Sequence, residues 1–190
     1  NTAHELGHKN TAVERFYAKV LLMTVCYMHF YIEHNRGHHV HVATKEDPAT
    51  ALRGESFYQF WVKSVFSGYR HAWNMEAESL QRKNMRVLSP QNQMLGFAVF
   101  PVLFCFVLFL TLSYFYQRPV WEVPLFFFAQ SFIALTLLEL VNYVEHYGIL
   151  RKETAPGRYE RVNALHSWNA SHRASNFFLF QLQRHSDHHA

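Results

Sequence analysis

Apolar and polar residues are distributed very unevenly along the chain. Residues 94–116 contain no charged side chain, and residues 120–141 contain only two, Glu122 and Glu139. About 20 apolar residues are enough to cross the hydrocarbon core of a bilayer as a helix. The pattern therefore predicts two transmembrane helices. Only Gln117-Arg118-Pro119 separates them, which predicts a tight hairpin whose two ends emerge on one side of the membrane.

The polar N-terminal part predicts two helices with a break between them. A first helix ends near residue 9 and carries His4 and His8 at positions i and i+4. The segment Thr11-Ala-Val-Glu14 fits a capping box, which starts a second helical stretch over residues 12–36. By length this stretch could almost span a membrane. We expect instead an interfacial or partly inserted segment that doubles back.

This expectation follows from the histidines at the two ends of the stretch. A straight helix would separate His8 from His34 by about 39 Å, and a full span would place them on opposite membrane faces. A break is therefore required, although no Gly or Pro lies between Asn10 and Arg36. We predict the bend near Thr24–His29.

The remaining polar segments predict surface helices and an orientation. Residues 42–93 are mixed in character and predict amphipathic helices lying on the membrane surface. Lys and Arg are abundant in residues 76–93 and 147–175, whereas the hairpin turn contains a single Arg. By the positive-inside rule, these segments lie in the cytoplasm. The sequence thus predicts an all-α fold: a helical integral-membrane protein fragment with a transmembrane hairpin.

Composition adds one anomaly to this pattern. The chain has 190 residues, a net formal charge of +4 and 14 histidines. Its length is that of one domain, so we expect a single catalytic core over residues 1–190, truncated at both ends as an internal piece of a longer protein. Cys26 and Cys105 both fall in apolar runs, so we expect them to pack as small hydrophobes.

Nine of the histidines fall into four groups. On a helix, residues three and four apart share a face, so members of one group can point to a common centre. Neutral imidazole is a ligand for iron, zinc, copper and nickel. Nine imidazoles are too many for one ion, so the sequence predicts a cytoplasmic di-metal site. The candidate ligands are His4, His8, His34, His38, His39, His146, His185, His188 and His189.

Other interpretations of these histidines remain open. His4-Glu5-Leu6-Gly7-His8 is formally the H-E-x-x-H signature of a zinc peptidase, with Glu5 as general base. A metal-binding membrane protein without enzymatic activity is a further alternative. His29, His41 and His71 are interpreted as ordinary hydrogen-bonded residues. His166 and His172 either orient ligands or lie on a surface that docks a partner.

The motifs together resemble those of the integral-membrane alkane monooxygenases (alkane hydroxylases), within the membrane fatty-acid desaturase/hydroxylase superfamily. The matching stretches are Asn1-Thr-Ala-His-Glu-Leu-Gly-His-Lys9, Glu33-His-Asn-Arg-Gly-His-His39, Asn142-Tyr-Val-Glu-His-Tyr-Gly148 and Leu182-Gln-Arg-His-Ser-Asp-His-His189. Desaturases resemble the chain more loosely. Their second histidine group usually reads H-x-x-H-H, whereas three residues separate His34 from His38 here.

The resemblance implies a non-haem site with two iron ions, held by the nine histidines, that activates O2. The expected reaction is hydroxylation of the terminal carbon of medium-chain n-alkanes to primary alcohols. Electrons would come from rubredoxin and its NADH-dependent reductase, and no nucleic acid is involved. The expected location is the bacterial inner (cytoplasmic) membrane, multi-pass, with the active site facing the cytoplasm. A fatty-acid desaturase or an aryl-methyl hydroxylase with the same di-iron site is the alternative.

Several acidic and aromatic residues have two possible roles. The acids next to the candidate ligands either orient ring N–H groups and neutralise metal charge or are plain surface carboxylates; they are Glu5, Glu33, Glu145 and Asp187. Glu139, in an apolar span, either serves the site or reaches lipid headgroups. An aromatic group either lines a substrate channel or packs against lipid; it comprises Phe126, Phe127, Phe128 and Phe132.

Overall fold

The chain is mostly helical in the computed structural model, which describes residues 2–170, 172 and 177. The elements, in chain order, are α1 (Thr2–Gly7), α2 (Ala12–Met23), α3 (Phe30–Ile32), a π-helical turn (Glu33–His38), α4 (His39–His41), α5 (Phe57–Arg82), α6 (Gln93–Tyr116), α7 (Glu122–His146), β1 (Glu153–Ala155), β2 (Arg158–Tyr159) and a 3-10 turn (Ala164–His166).

These elements form two compact units. The first unit contains Glu33–His71 and the described residues from 138 onward. The second contains Ala3–Ile32 and Ala72–Leu137. Helices α5 and α7 each contribute residues to both units.

In the second unit, α2 begins and ends with recognisable caps. The Thr11 hydroxyl accepts a hydrogen bond from the Glu14 backbone N–H at 3.2 Å, so the predicted cap is confirmed. After Met23 the chain leaves the helix, and no helix is described over residues 24–29. The predicted bend is therefore confirmed.

The bend forms without Gly or Pro because Cys26 takes the left-handed conformation, with φ of 52°. The Tyr27 N–H donates to the Leu22 carbonyl at 3.0 Å, and the Cys26 N–H donates to the Met23 carbonyl at 3.2 Å. This pair of bonds is the Schellman motif, which usually places glycine at the left-handed residue. Because cysteine occupies this position, the helix end has no ordinary stop signal in the sequence.

Helices α6 and α7 are long and apolar enough to cross a membrane. Only 17% of the most apolar window of each is buried, so neither resembles the core helix of a soluble protein. Within the second unit, the Phe109 and Trp121 rings lie 4.9 Å apart, and the Phe104 and Phe127 rings lie 6.1 Å apart. The intervening loop starts at Gln117, whose φ is 50°.

Helix α7 extends to His146, five residues past the span predicted over residues 120–141. The residues 142–146 contain no helix breaker. Gly148, with φ of 71°, is the residue that prevents further extension.

Within the first unit, the C-terminal part of α7 packs on the segment that precedes and begins α5. The Tyr143 hydroxyl donates to the Glu55 carbonyl at 2.8 Å, and its ring lies 5.4 Å from that of Phe60. The Gly148 N–H donates to the Ala51 carbonyl at 2.8 Å. These contacts fix the position of His146, the last residue of α7.

The all-α prediction holds for most of the described chain but is wrong in one place. Strands β1 and β2 form a short antiparallel hairpin, with Glu153 opposite Tyr159. Gly157 occupies its turn with φ of 70°. The flanking residues join the first unit, since the Arg151 N–H donates to the Ala43 carbonyl at 2.7 Å. Strands of two or three residues are too short to show an alternating pattern.

Candidate metal centre

The π-helical turn Glu33–His38 brings the second histidine group together. In a π-helix the hydrogen bonds join residue i to i+5, one residue further than in an α-helix. The spacing H-x-x-x-H-H therefore presents its histidines on one face. The His34 ring lies 5.2 Å from that of His38 and 4.7 Å from that of His39. The Nε2 atoms of His34 and His39 are 3.2 Å apart.

His38 is held by a buried carboxylate that we did not predict. Its Nδ1 lies 2.9 Å from Oδ2 of Asp47, and both side chains are buried. An ionised carboxylate only accepts hydrogen bonds, so Nδ1–H is the donor. The remaining ring atom, Nε2, is then the atom that can bind a metal.

The electrostatics of this pair keep Asp47 ionised. Burial alone would raise the pKa of Asp47, but the charge of His38 and the hydrogen bonds from His38 and Thr50 outweigh it and lower the pKa to about 2. Burial also acts to lower the pKa of His38, and the charge and hydrogen bond of Asp47 outweigh it, so that this pKa is raised. The carboxylate is therefore a permanent acceptor near neutral pH.

His146 joins the same group from α7. Its ring is fully buried and lies 4.7 Å from that of His38. The end of α7 is fixed from outside by Trp168, whose backbone N–H donates to the Glu145 carbonyl at 2.8 Å. Four of the nine predicted ligands thus form one cluster in the first unit: His34, His38, His39 and His146.

The other predicted ligands lie elsewhere in the chain. His4 and His8 belong to the second unit, and their rings lie 4.9 Å apart. His4 is buried, and its Nδ1 is 3.2 Å from Oε1 of Glu5. The fourth predicted group lies outside the described residues, together with its neighbouring acid; these residues are His185, Asp187, His188 and His189.

The predicted acidic residues take different positions. Oε1 of Glu5 lies 3.2 Å from Nδ1 of its neighbour His4, and the Glu5 side chain is 45% exposed. Glu33 is buried, which raises its pKa, and its Oε1 lies 3.4 Å from Nδ1 of His71. Glu145 is also buried, as is Glu139, so neither is a surface carboxylate. Burial of Glu139 contradicts the idea that it reaches lipid headgroups.

The histidines that we interpreted as ordinary do have ordinary surroundings. His29 is buried, and burial lowers its pKa to about 4. His41 pairs with Glu46 at 3.2 Å. His71 contacts Glu33, as noted above, and its ring lies 6.0 Å from that of His41.

His166 and His172 are now distinguished by their surroundings. Nδ1 of His166 accepts a hydrogen bond from the Asn163 backbone N–H at 3.0 Å. Its Nε2 lies 3.3 Å from Oε1 of Glu160. Both ring nitrogens therefore serve to fold the loop over 160–166. His172 is exposed.

The donor set in the first unit fits a first-row transition metal, such as iron, zinc, copper or nickel. Its four members are imidazoles, and a carboxylate fixes the ring of one of them, as is usual for metal-binding histidines. The two cysteines, Cys26 and Cys105, belong to the second unit and form no disulfide.

Asp47 is the residue that sequence reasoning missed. It lies nine positions after His38 and next to no histidine, so a search for acids beside ligands passes over it. The available signal was Asp47-Pro48, because Asp-Pro favours turn initiation. In that turn Asp47 accepts a hydrogen bond from the Ala49 N–H at 3.0 Å. A turn of this kind fixes the direction of its carboxylate.

Comparison with known proteins gives a family and a set of named relatives. The fatty acid desaturase family model matches residues 1–190. An alkane 1-monooxygenase of Pseudomonas putida is 44% identical over 191 aligned residues, which cover 100% of this chain and 46% of that protein. Alkane 1-monooxygenase 1 of Pseudomonas aeruginosa is 44% identical over 188 residues, covering 99% and 47%.

A more distant relative is the hydroxylase component of xylene/toluene monooxygenase of Pseudomonas putida. It is 27% identical over 187 residues, which cover 98% of this chain and 47% of that protein. The chain spans about half the length of the curated relatives that it matches. Because the fatty acid desaturase model matches the entire chain, residues 1–190, the chain belongs to the fatty acid desaturase family.

Proposed function

We propose that this chain is the catalytic part of a membrane-bound, non-haem di-iron monooxygenase. The enzyme hydroxylates the terminal carbon of medium-chain n-alkanes and releases primary alcohols. The observation that carries the proposal is the 44% identity to alkane 1-monooxygenases along the whole chain. The histidine motifs support the same proposal, because imidazole side chains are suitable ligands for iron.

The proposed metal ligands are all nine clustered histidines. Support comes from the first unit, where four imidazoles lie together around the buried His38. His4 and His8, whose rings adjoin in the second unit, and the histidines at 185, 188 and 189 complete the proposed set. When bound, a pair of iron ions would supply O2 activation and the insertion of one oxygen atom into a C–H bond.

The protein's own residues hold and orient these ligands. Asp47 fixes His38, and Glu5 contacts His4. Glu145 is buried beside His146 at the end of α7. Asp187, next to His188, takes a similar orienting role in the proposal, as does Glu33 next to His34. Imidazole suits this task because it binds iron in neutral form without a thiolate that oxidants would attack.

The apolar helices supply access for an apolar substrate. We propose that α6 and α7 cross the bacterial inner membrane in a multi-pass protein and that the metal site faces the cytoplasm. The high hydropathy and low burial of both helices support membrane insertion. The Lys and Arg residues that flank them support the orientation. An n-alkane dissolves in the bilayer and reaches the site without passing through water.

The reaction also needs an electron donor. Hydroxylation of a C–H bond by O2 leaves one oxygen atom in the alcohol and reduces the other to water, which consumes two electrons and two protons. We propose rubredoxin, reduced by its NADH-dependent reductase, as the donor. A cytoplasmic site would be open to such a soluble partner.

An aryl-methyl hydroxylase is the second candidate. It is favoured by the 27% identity to the xylene/toluene monooxygenase component, which extends over 98% of the chain. The same metal site would then act on a benzylic methyl group. The family match by itself also fits a fatty-acid desaturase. The match of the desaturase model to the whole chain gives no support to the zinc peptidase alternative.

Product analysis tests this proposal directly. Cells that express the complete protein with rubredoxin and its reductase are given n-octane or toluene, and the products are identified by mass spectrometry. We expect 1-octanol, and we expect the His38→Ala variant to lose it. Benzyl alcohol without octanol would support the aryl-methyl alternative, and an octene would indicate desaturation. No oxygenated or desaturated product from an iron-loaded protein would refute the proposal.

A further inference from the structure

We infer that Asp47 is a positioning residue of the metal centre. Its carboxylate holds the ring of His38 in one orientation and keeps the proton on Nδ1, so that Nε2 is the metal-binding atom. The inference rests on the proposed iron site. It assigns a role to a residue that is remote from every histidine motif in the sequence.

The geometry makes the carboxylate unusually fixed. Oδ1 of Asp47 accepts from the Ala49 N–H at 3.0 Å, and Oδ2 accepts from the Thr50 hydroxyl at 2.5 Å. Oδ2 also lies 2.9 Å from Nδ1 of His38. Thr50 is held in turn, because its hydroxyl oxygen accepts from the Ala43 N–H at 3.0 Å. With both oxygens engaged, the carboxylate cannot turn away from His38.

Burial makes the contact between His38 and Asp47 important for metal binding. The side chains of His38 and Asp47 are 1% and 0% exposed, so water cannot replace either partner. A metal-binding imidazole that donates its other N–H to a carboxylate becomes a more basic ligand. A more basic ligand favours the more oxidised iron ion. Loss of the carboxylate should therefore weaken iron binding and raise the reduction potential.

The chain contains a matched control for this pair. His41 and Glu46 form the same kind of contact at 3.2 Å, but their side chains are 33% and 54% exposed. His41 is not a proposed ligand. Glu46 adjoins Asp47 in sequence, so Glu46→Gln removes one carboxylate from the same turn and leaves the buried pair intact.

The experiment compares Asp47→Asn with Glu46→Gln in the complete protein. Iron affinity is measured by competition with a chelator, the iron environment by Mössbauer spectroscopy on 57Fe, and the midpoint potential by redox titration. We expect Asp47→Asn to bind iron about 10-fold or more weakly. We also expect it to change the quadrupole splitting of one iron signal and to raise the potential. Glu46→Gln should match the unchanged protein in all three measurements.

Thr50 provides a second variant in case Asp47→Asn does not fold. Thr50→Val removes the hydroxyl that fixes Oδ2, whereas Thr50→Ser retains it. We expect Thr50→Val to raise the reduction potential by less than Asp47→Asn does. We expect Thr50→Ser to have the potential of the unchanged protein. Unchanged affinity, spectrum and potential in folded Asp47→Asn, or in Thr50→Val, would overturn the inference while leaving the iron site established. Absence of iron from the unchanged protein would refute the proposed function itself.

Discussion

His38 makes two kinds of contact: its ring lies beside those of His34 and His39, and its Nδ1 is 2.9 Å from Oδ2 of Asp47. The spacing grouped His34, His38 and His39 correctly as neighbours, because short-range geometry depends on local structure. It could not reveal the partners of His38 and Glu33, which are Asp47 and His71. Those contacts depend on a turn and on the packing of α5, so Asp47 was not among the acids that we selected for their position beside a histidine.

His29 should make the protein sensitive to acid. Its pKa is about 4 in the folded protein because of burial, against an ordinary value of 6.5. The unfolded chain therefore takes up a proton below about pH 6.5, whereas the folded protein does so only near pH 4. Stability consequently falls as the pH decreases through this window, by about 2 kcal/mol between pH 7 and pH 5.

The test is thermal unfolding in detergent at both pH values, for the unchanged protein and for His29→Gln. The variant lacks the titrating ring, so its unfolding temperature should fall less on acidification. Equal falls in the two proteins would show that His29 does not carry this pH dependence.

At the scale of elements, the π-helical turn accounts for a difference in motif spacing. An H-x-x-H-H group presents its histidines on one face of an α-helix. One additional residue, as in His34-Asn-Arg-Gly-His38-His39, would keep His38 on that face at i+4 but would move His39, at i+5, away from it. The i to i+5 bonding of a π-helix absorbs the extra residue and restores the common face. The extra residue is visible in the sequence, but we assumed an α-helix there and did not predict the π-helical turn.

Gly37 is the residue that allows the turn to pack. A Cβ atom at this position would lie 2.9 Å from Oε1 of Glu33 and 2.9 Å from Cε1 of His71. Gly37→Ala must therefore displace the buried Glu33 side chain or His71. We expect a loss of stability of about 1–3 kcal/mol, typical of overpacking, together with reduced iron content.

Gly68 supplies the matched control, since it faces the same glutamate from α5. A Cβ atom there would meet Cγ of Glu33 at 3.6 Å, which is an ordinary contact. Gly68→Ala should be neutral or stabilising by up to about 1 kcal/mol, because alanine favours a helix. Unfolding temperatures and metal analysis of both variants provide the comparison. Equal stability of the two would contradict the close packing around Gly37.

At the scale of the whole molecule, the two apolar helices were predictable because hydropathy alone defines them. The bend after α2 was also predictable, although only from the need to bring histidines together. The β1–β2 hairpin and the end of α7 were not, since both depend on contacts within the first unit, such as that between Arg151 and Ala43. Long apolar stretches can be recognised in the sequence alone, whereas contacts between segments that are distant in sequence cannot.

Metal analysis of the purified complete protein shows whether the separated histidine groups bind a pair of iron ions. Imidazole alone suits iron, zinc, copper and nickel, so the identity and the number of bound ions must both be measured. We expect about two iron ions per chain and almost no zinc. A content of about one zinc ion per chain, with no iron, would contradict the di-iron assignment.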